Sequence, residues 1–310
     1  MVPARQVAPA SDFDARAKTT SPFIMSFNDS PLAPRNLKQQ ILTLQDSRYR
    51  PVLSVALSAY KTLRTRELTV IRRDPDGDWR HRAGNVVIAS PTLHLKDVPA
   101  MVHDGTDFWM HGYTPVPGDV IFDVGAGIGE DTLAFSRRVG PTGKVIAIEA
   151  HPRTFRCLKK TVVESKLSNV VPLDCALHSA DGEITISDVP CHLDNTVVGS
   201  EDGIRIRARS IDSLVKELGL GRVDLLKMNI EGAEVAAIEG LNECVPRVRH
   251  VVVSCHDFIA ERGGPAAMRT KSRVIDLLQK RGFRILPART TSSYDWVRDY
   301  VYARRQDLAA

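Results

Sequence analysis

The sequence predicts an α/β protein, a doubly wound, mostly parallel sheet with a closing antiparallel strand, preceded by a small N-terminal α+β module. Three observations lead there. From residue 120 onward, short apolar runs alternate with segments of helical period, as parallel βαβ units covered on both faces require. One of these runs turns through three closely spaced glycines straight into a helix. The chain has 310 residues, 43% hydrophobic and 25% charged, the size and balance of one large domain with an added subdomain.

In chain order, residues 1–21 mix Ala, Pro, Thr and Ser with Asp12 and Asp14 and lack the apolar core of a secretory signal, so a flexible tail is expected over 1–30. Apolar residues at helical spacing predict helices over 36–44 and 52–63, with Pro34 and Pro51 near their starts. A strand over 68–73, the turn signal Asp74-Pro75-Asp76-Gly77 and a strand over 85–89 complete a helix-and-hairpin module assigned to 31–112.

The main domain, 113–310, is expected to place strands at 120–124, 144–148, 170–174, 223–228 and 250–254. Helices are expected at 130–139, 152–165, 211–218, 233–239 and 266–281. Pro152 suits a first helical position, Ser210 an N-cap and Gly219 a C-terminal stop. Residues 183–187 and 204–208 read as extra strands around a polar loop, 188–203, and 283–286 with 297–302 as an antiparallel pair closing the sheet.

Charge and cysteines narrow the class. The net charge of +5 is spread along the chain without a stacking aromatic motif, so no nucleic-acid partner is expected. No run of eighteen apolar residues exists, so neither a membrane span nor a membrane partner is expected. Cys157, Cys175, Cys191, Cys244 and Cys255 are an odd, dispersed set, several of them in apolar runs, which predicts reduced thiols and a cytoplasmic protein.

The strongest segment is IFDVGAGIGE, from Ile121 to Glu130. Its glycines, Gly125, Gly127 and Gly129, let backbone approach a ligand at the carboxyl edge of the sheet. A dinucleotide fingerprint wants a glycine where Glu130 stands. Asp123, two residues before the first glycine, would repel a pyrophosphate but attract an ammonium, which points to S-adenosylmethionine. Glu149, at the end of the second strand, suits a ribose diol, and Asp174, with Cys175 and Ala176, ends the third strand where an adenine would lie.

With those residues quoted, the stretch from about Asp107 to Arg304 resembles the FkbM family of methyltransferases. The resemblance rests on PGDVIFDVGAGIGEDT (Pro117 to Thr132), VIAIE (Val145 to Glu149) and DLLKMNIEGAE (Asp224 to Glu234). It implies a class I methyltransferase fold, S-adenosylmethionine as cofactor, and methylation of a hydroxyl on a sugar or other small natural product. A small-molecule hydroxyl acceptor is then the expected partner, with a homodimer as the assembly to be tested. The cofactor residues expected are Asp123, Gly125, Ala126, Gly127, Gly129, Thr132, Glu149, Asp174, Cys175, Ala176 and Asn229. The family usually carries an acid where this chain has Asn229, and an amide can neither act as a base nor supply a negative metal ligand.

A hydroxyl acceptor needs its proton removed, which a positioned base assists. Glu231 and Glu234 follow the fourth strand, and His256 with Asp257 follows the fifth. His256 is the preferred base because a neutral imidazole accepts a proton near pH 7, and Asn229 and Glu231 complete the expected catalytic set. Asn229, Glu231, His256 and Asp257 match no closed metal motif, so no metal is assigned. His192 and Asp194 are candidate substrate contacts. Trp109, His111 and Tyr113 are expected to pack the N-terminal module on the sheet, with a lid as the other reading. Two further functions stay open at this point: a cofactor-binding protein with altered or lost activity, and a nicotinamide-dependent oxidoreductase.

Overall fold

The computed structural model describes residues 37–103, 106–188, 196, 203–288 and 295–307. The expected tail, Cys191, His192 and Asp194 lie outside the described residues. Two compact units are distinguished, Met1–Ser47 and Arg48–Ala310. In the first, α1 (Leu37–Thr43) runs into a 3-10 turn, Leu44–Asp46.

The second unit begins with α2 (Arg50–Thr65), with Pro51 in its first turn, where a missing N–H costs nothing. Three antiparallel strands follow, β1 (Thr69–Arg73), β2 (Trp79–Ala83) and β3 (Val86–Ser90), one more than the sequence suggested. The middle strand was hidden because its residues, WRHRA, look polar. Yet Trp79, His81 and Ala83 are buried on one face while Arg80 and Arg82 take the other. Two short helices, α3 (Val98–His103) and α4 (Thr106–Trp109), lead to the large sheet.

There the elements are β4 (Val120–Val124), α5 (Glu130–Val139), β5 (Lys144–Ile148), α6 (Pro152–Glu164) and β6 (Val170–Leu173). An inserted three-stranded sheet follows, made of β7 (Ala176–Leu177), β8 (Gly182–Ile186) and β9 (Ile204–Arg209). Next come α7 (Ile211–Glu217), β10 (Val223–Met228), α8 (Glu234–Glu239), β11 (Val248–Ser254), α9 (Asp257–Glu261), α10 (Lys271–Lys280), β12 (Phe283–Ile285) and β13 (Tyr300–Arg305). The Ser210 hydroxyl accepts from the Ser213 N–H, capping α7 as its residue type predicts. The helix expected over 266–281 is broken. Ala266–Met268 is a separate 3-10 turn, and α10 starts only where Asp257 accepts from the N–H groups of Thr270 and Lys271, at 2.9 and 3.0 Å.

The seven strands lie in the order β12-β13-β11-β10-β4-β5-β6. β6, β5, β4, β10 and β11 are parallel, and β13 runs antiparallel to both neighbours. Alternation sorts the core. Phe122, Val124, Ile146, Ile148, Leu226 and Met228 join the layer containing α7, α8 and α10, whereas Ile121, Val145, Ala147 and Leu225 join the layer of Phe135, Leu158, Trp109 and Tyr302. Consecutive strands step outward from β4 on one side and from β10 on the other. That reversal leaves a crevice at their carboxyl ends. This is the class I methyltransferase fold.

The sheet of β1, β2 and β3 is tied to α6 by charge. Lys160 reaches Asp74, Asp76 and Asp78 at 2.6 to 2.8 Å, and Arg156 holds Asp78 at 2.6 Å. Trp109, His111 and Tyr113 pack on the large sheet as the first of the two readings expected. Trp109 lies against Tyr300, His111 against Tyr302, and Tyr113 stacks on His250 at 3.9 Å.

Candidate active site

A cleft of about 690 Å3, counting its open mouth, lies at the carboxyl ends of β4, β5 and β10. Its floor is the glycine turn. Gly125 has φ +68, and a methyl group there would lie 1.9 Å from the Asn229 carbonyl oxygen. The strand-ends of β4 and β10 are therefore in backbone contact. Gly127, at φ +57, has open space where a methyl group would point, and it lines the cleft. The Gly125 and Ala126 N–H groups both donate to the Ile148 carbonyl, at 2.9 and 3.0 Å, which seats the turn beside β5.

Glu149 holds the next part of the wall. Its two carboxylate oxygens accept from the N–H groups of Gly127 and His151, each at 2.9 Å. Burial pushes its pKa up, against the pull of those two N–H donors, to about 7. Carboxylate oxygens have further lone pairs to offer a ligand. Cys175, Ala176, Leu177 and Ile186 add an apolar wall, and Asn229, Ile230 and Glu231 close the side toward β10. Of the expected cofactor residues, the fold brings Gly125, Gly127, Glu149, Cys175, Ala176 and Asn229 to one surface.

Five others go elsewhere. Asp123 points to the opposite face of the sheet, fully buried. Its Oδ1 lies 2.8 Å from Lys227 Nζ, and its Oδ2 accepts from the Thr132 hydroxyl at 2.5 Å. The side chain the sequence offered as a lure for an ammonium is thus already engaged by one inside the protein. Thr132 shares that role and is buried with it. Ala126 joins the core layer of Phe135 and Leu158, while Gly129 packs on α6, where an added methyl group would meet Leu158 at 3.0 Å. Asp174 is exposed and pairs with Arg207 at 2.7 Å.

Lys227 is the residue that sequence reasoning passed over. It is fully buried, 3.5 Å from Asp131, donates to the Gly125 carbonyl at 3.0 Å, and lies 4.8 Å over the Trp109 ring. Burial pulls its pKa down, but Asp123 and Asp131 outweigh that and hold it raised. A lysine inside the apolar run VDLLKM was the available signal, since an unpaired charge there costs several kcal/mol.

The predicted catalytic residues form a second cluster. His256 is buried, with Nε2 3.1 Å from Glu231 and Nδ1 3.1 Å from Glu234. Burial lowers its pKa, yet the two carboxylates prevail and push it up to about 10. The two flanking carboxylates favour the protonated imidazole, the opposite direction from the neutral base expected of this residue. Its place is behind Glu231, which itself lines the cleft. Glu231 adopts φ +46, rare for a residue with a side chain, and its carbonyl accepts from the Thr196 hydroxyl at 2.6 Å. The Gly232 N–H donates to Glu234 at 3.0 Å and tightens this turn. Asp257 is used to cap α10, so the four residues weighed as metal ligands do not converge.

Comparison with known proteins agrees with this class. Residues 123–285 match the model of the methyltransferase FkbM domain. The chain is 29% identical over 139 residues to the hexuronic acid methyltransferase AglP of Haloferax volcanii, covering 44% of this chain and 56% of that protein. It is 28% identical over 225 residues to the methyltransferase sdnD of Sordaria araneosa, covering 60% and 82% respectively. It is also 26% identical over 210 residues to the 31-O-demethyl-FK506 methyltransferase FkbM of Streptomyces tacrolimicus, covering 57% and 76%. The match thus spans little more than half the length of the first of these relatives. The chain belongs to the FkbM methyltransferase family, a class whose cofactor is S-adenosylmethionine. No described helix is long and apolar enough to cross a membrane.

Proposed function

We propose that the protein transfers a methyl group from S-adenosylmethionine to a hydroxyl of a small natural product or sugar. One observation carries this reading: two carboxylates, Glu149 after β5 and Glu231 after β10, line the same cleft on either side of the glycine turn. Glu149 would accept from the ribose hydroxyls, Gly127 would leave room for close approach, and Cys175 with Ala176 would flank the adenine. The cofactor, when bound, supplies a methyl group carried on a positively charged sulfur.

The chain must then align an acceptor and take its proton. Orientation alone can be worth roughly 7 to 11 kcal/mol. Glu231 is the base we assign, since it lines the cleft whereas His256 is buried behind it. Glu231 would take the hydroxyl proton as the oxygen gains the methyl group, whose bond to sulfur would break with the electron pair left on the then neutral sulfur. His256, held between Glu231 and Glu234, acts as a positioning residue that fixes the Glu231 side chain and its strained backbone, a conformation costing about 1 to 3 kcal/mol by itself. The names of two relatives, one acting on a hexuronic acid and one on 31-O-demethyl-FK506, support an oxygen acceptor on a sugar or natural product.

The test is labelled-methyl transfer across a panel of hydroxylated sugars and natural products. With an acceptor found, Glu231→Gln is expected to lower kcat about 10² to 10⁴-fold while leaving cofactor affinity nearly unchanged. Transfer to amines alone, or an unaffected kcat, would refute the assignment. A second reading, a cofactor-binding protein of altered activity, rests on the amide of Asn229 in the cleft. Turnover appearing only in Asn229→Asp would favour it.

A further inference from the structure

The helix α2 turns an apolar face to solvent. Val52, Val55, Tyr60 and Leu63 are 68%, 70%, 59% and 81% exposed, and Ala56 and Ala59 fill the gaps between them. These positions follow helical spacing, so they make one stripe, about 16 Å long from Val52 to Leu63 at 1.5 Å per residue. The opposite side of the helix is occupied, with Leu53 and Lys61 buried and the Lys61 ammonium donating to the carbonyls of His94 and Lys96. Leu68, just before β1, and Val70 within it are exposed as well.

Charge identifies what this face fits. From Arg48 to Arg66 the chain carries Arg48, Arg50, Lys61, Arg64 and Arg66 and no acid. Arg48 lies over the Tyr49 ring at 4.9 Å, at the start of the stripe, and Arg64 pairs with Asp97. Among the described residues Arg50, Arg66 and Arg72 make no ion pair, and the exposed acids nearest them in sequence, Asp46, Glu67 and Asp76, all lie outside α2. An apolar stripe with arginines at both ends repels a second copy of itself in either orientation, because arginines meet arginines. It complements a surface that is anionic outside and apolar just beneath.

We propose that α2 is a docking surface for an anionic lipid bilayer, holding the enzyme at the membrane face without crossing it. Val52, Val55, Tyr60 and Leu63 enter the boundary between headgroups and acyl chains, while Arg50, Arg66 and Arg72 reach the phosphates. Each arginine near such a surface strengthens binding by roughly fivefold. The site is independent of the methyl-transfer cleft, so its test does not depend on the acceptor.

The experiment is cosedimentation of the full-length protein with vesicles of phosphatidylcholine alone or mixed with phosphatidylglycerol, at low and high salt, alongside sedimentation equilibrium without lipid. Binding is expected only to the mixed vesicles, weakened by salt, and reduced at least tenfold in Val55→Asp/Leu63→Asp and in Arg50→Glu/Arg66→Glu. Val55, Leu63 and Arg66 are exposed, Arg50 is half-buried, and all four lie outside the cleft, so S-adenosylmethionine affinity in both variants checks that they fold. Absence of vesicle binding, or equal binding to neutral vesicles, would overturn the proposal. So would a concentration-dependent dimer dissolved by Val55→Asp/Leu63→Asp, which would assign the face to a second copy.

Discussion

Gly125→Ala tests how the cleft is held open. A methyl group at this position would sit 1.9 Å from the Asn229 carbonyl oxygen and 2.8 Å from its carbon, both backbone atoms. Real contacts of this kind stay beyond about 3 Å, so β4 and β10 would have to part by roughly 1 Å. The left-handed conformation, φ +68, adds a strain of about 1 to 2 kcal/mol. With overpacking of about 1 to 3 kcal/mol, the expected loss of stability is about 2 to 5 kcal/mol. Gly127→Ala is the internal control. It shares the left-handed backbone but meets nothing within 4 Å, so its loss should be about 1 to 2 kcal/mol. Urea unfolding of both variants measures the difference, and titration calorimetry with S-adenosylmethionine separates fold from site, since Gly127→Ala should lose affinity more than stability. Equal stability losses in the two variants would refute the close-approach argument.

Three further outcomes follow from the buried charges. His256→Gln should destabilise the protein most at low pH: the folded pKa, about 10, lies above the unfolded value near 6.5, so the wild-type advantage is full below about 6.5 and fades as pH rises through 10. A stability gap in urea that does not change with pH would contradict it. Asp123→Ala leaves the Lys227 ammonium short of its nearest counter-charge and should cost about 3 to 5 kcal/mol, part of it regained in Asp123→Ala/Lys227→Met. Unchanged stability with lost cofactor affinity would return Asp123 to the cofactor site. For Glu149, whose pKa is raised to about 7, ionisation is what makes it a strong acceptor, so S-adenosylmethionine affinity should rise from pH 6 to pH 8 in the wild type and stay flat in Glu149→Gln. Calorimetry at pH 6 and at pH 8 decides.

The doubly wound sheet was legible in the sequence, because the period of a parallel strand and of its covering helix is local: Val120–Val124, Lys144–Ile148 and Val223–Met228 are found at the boundaries their apolar runs predict. So were the glycine turn and the acid at Glu149, whose positions follow from being at strand ends. β2 was illegible, since WRHRA shows its buried face only when β1 and β3 flank it. What tertiary structure alone decided was which charge meets which. Asp123 stands beside the glycines in sequence, but the pleat aims it at Lys227, on a strand about a hundred residues later, rather than into the cleft. His256 looks like a free base in a list of residues, yet Glu231 and Glu234, each 3.1 Å from its ring, favour its protonated form. A residue's type is local, whereas its protonation depends on burial and on partners that only folding brings within 3 to 4 Å.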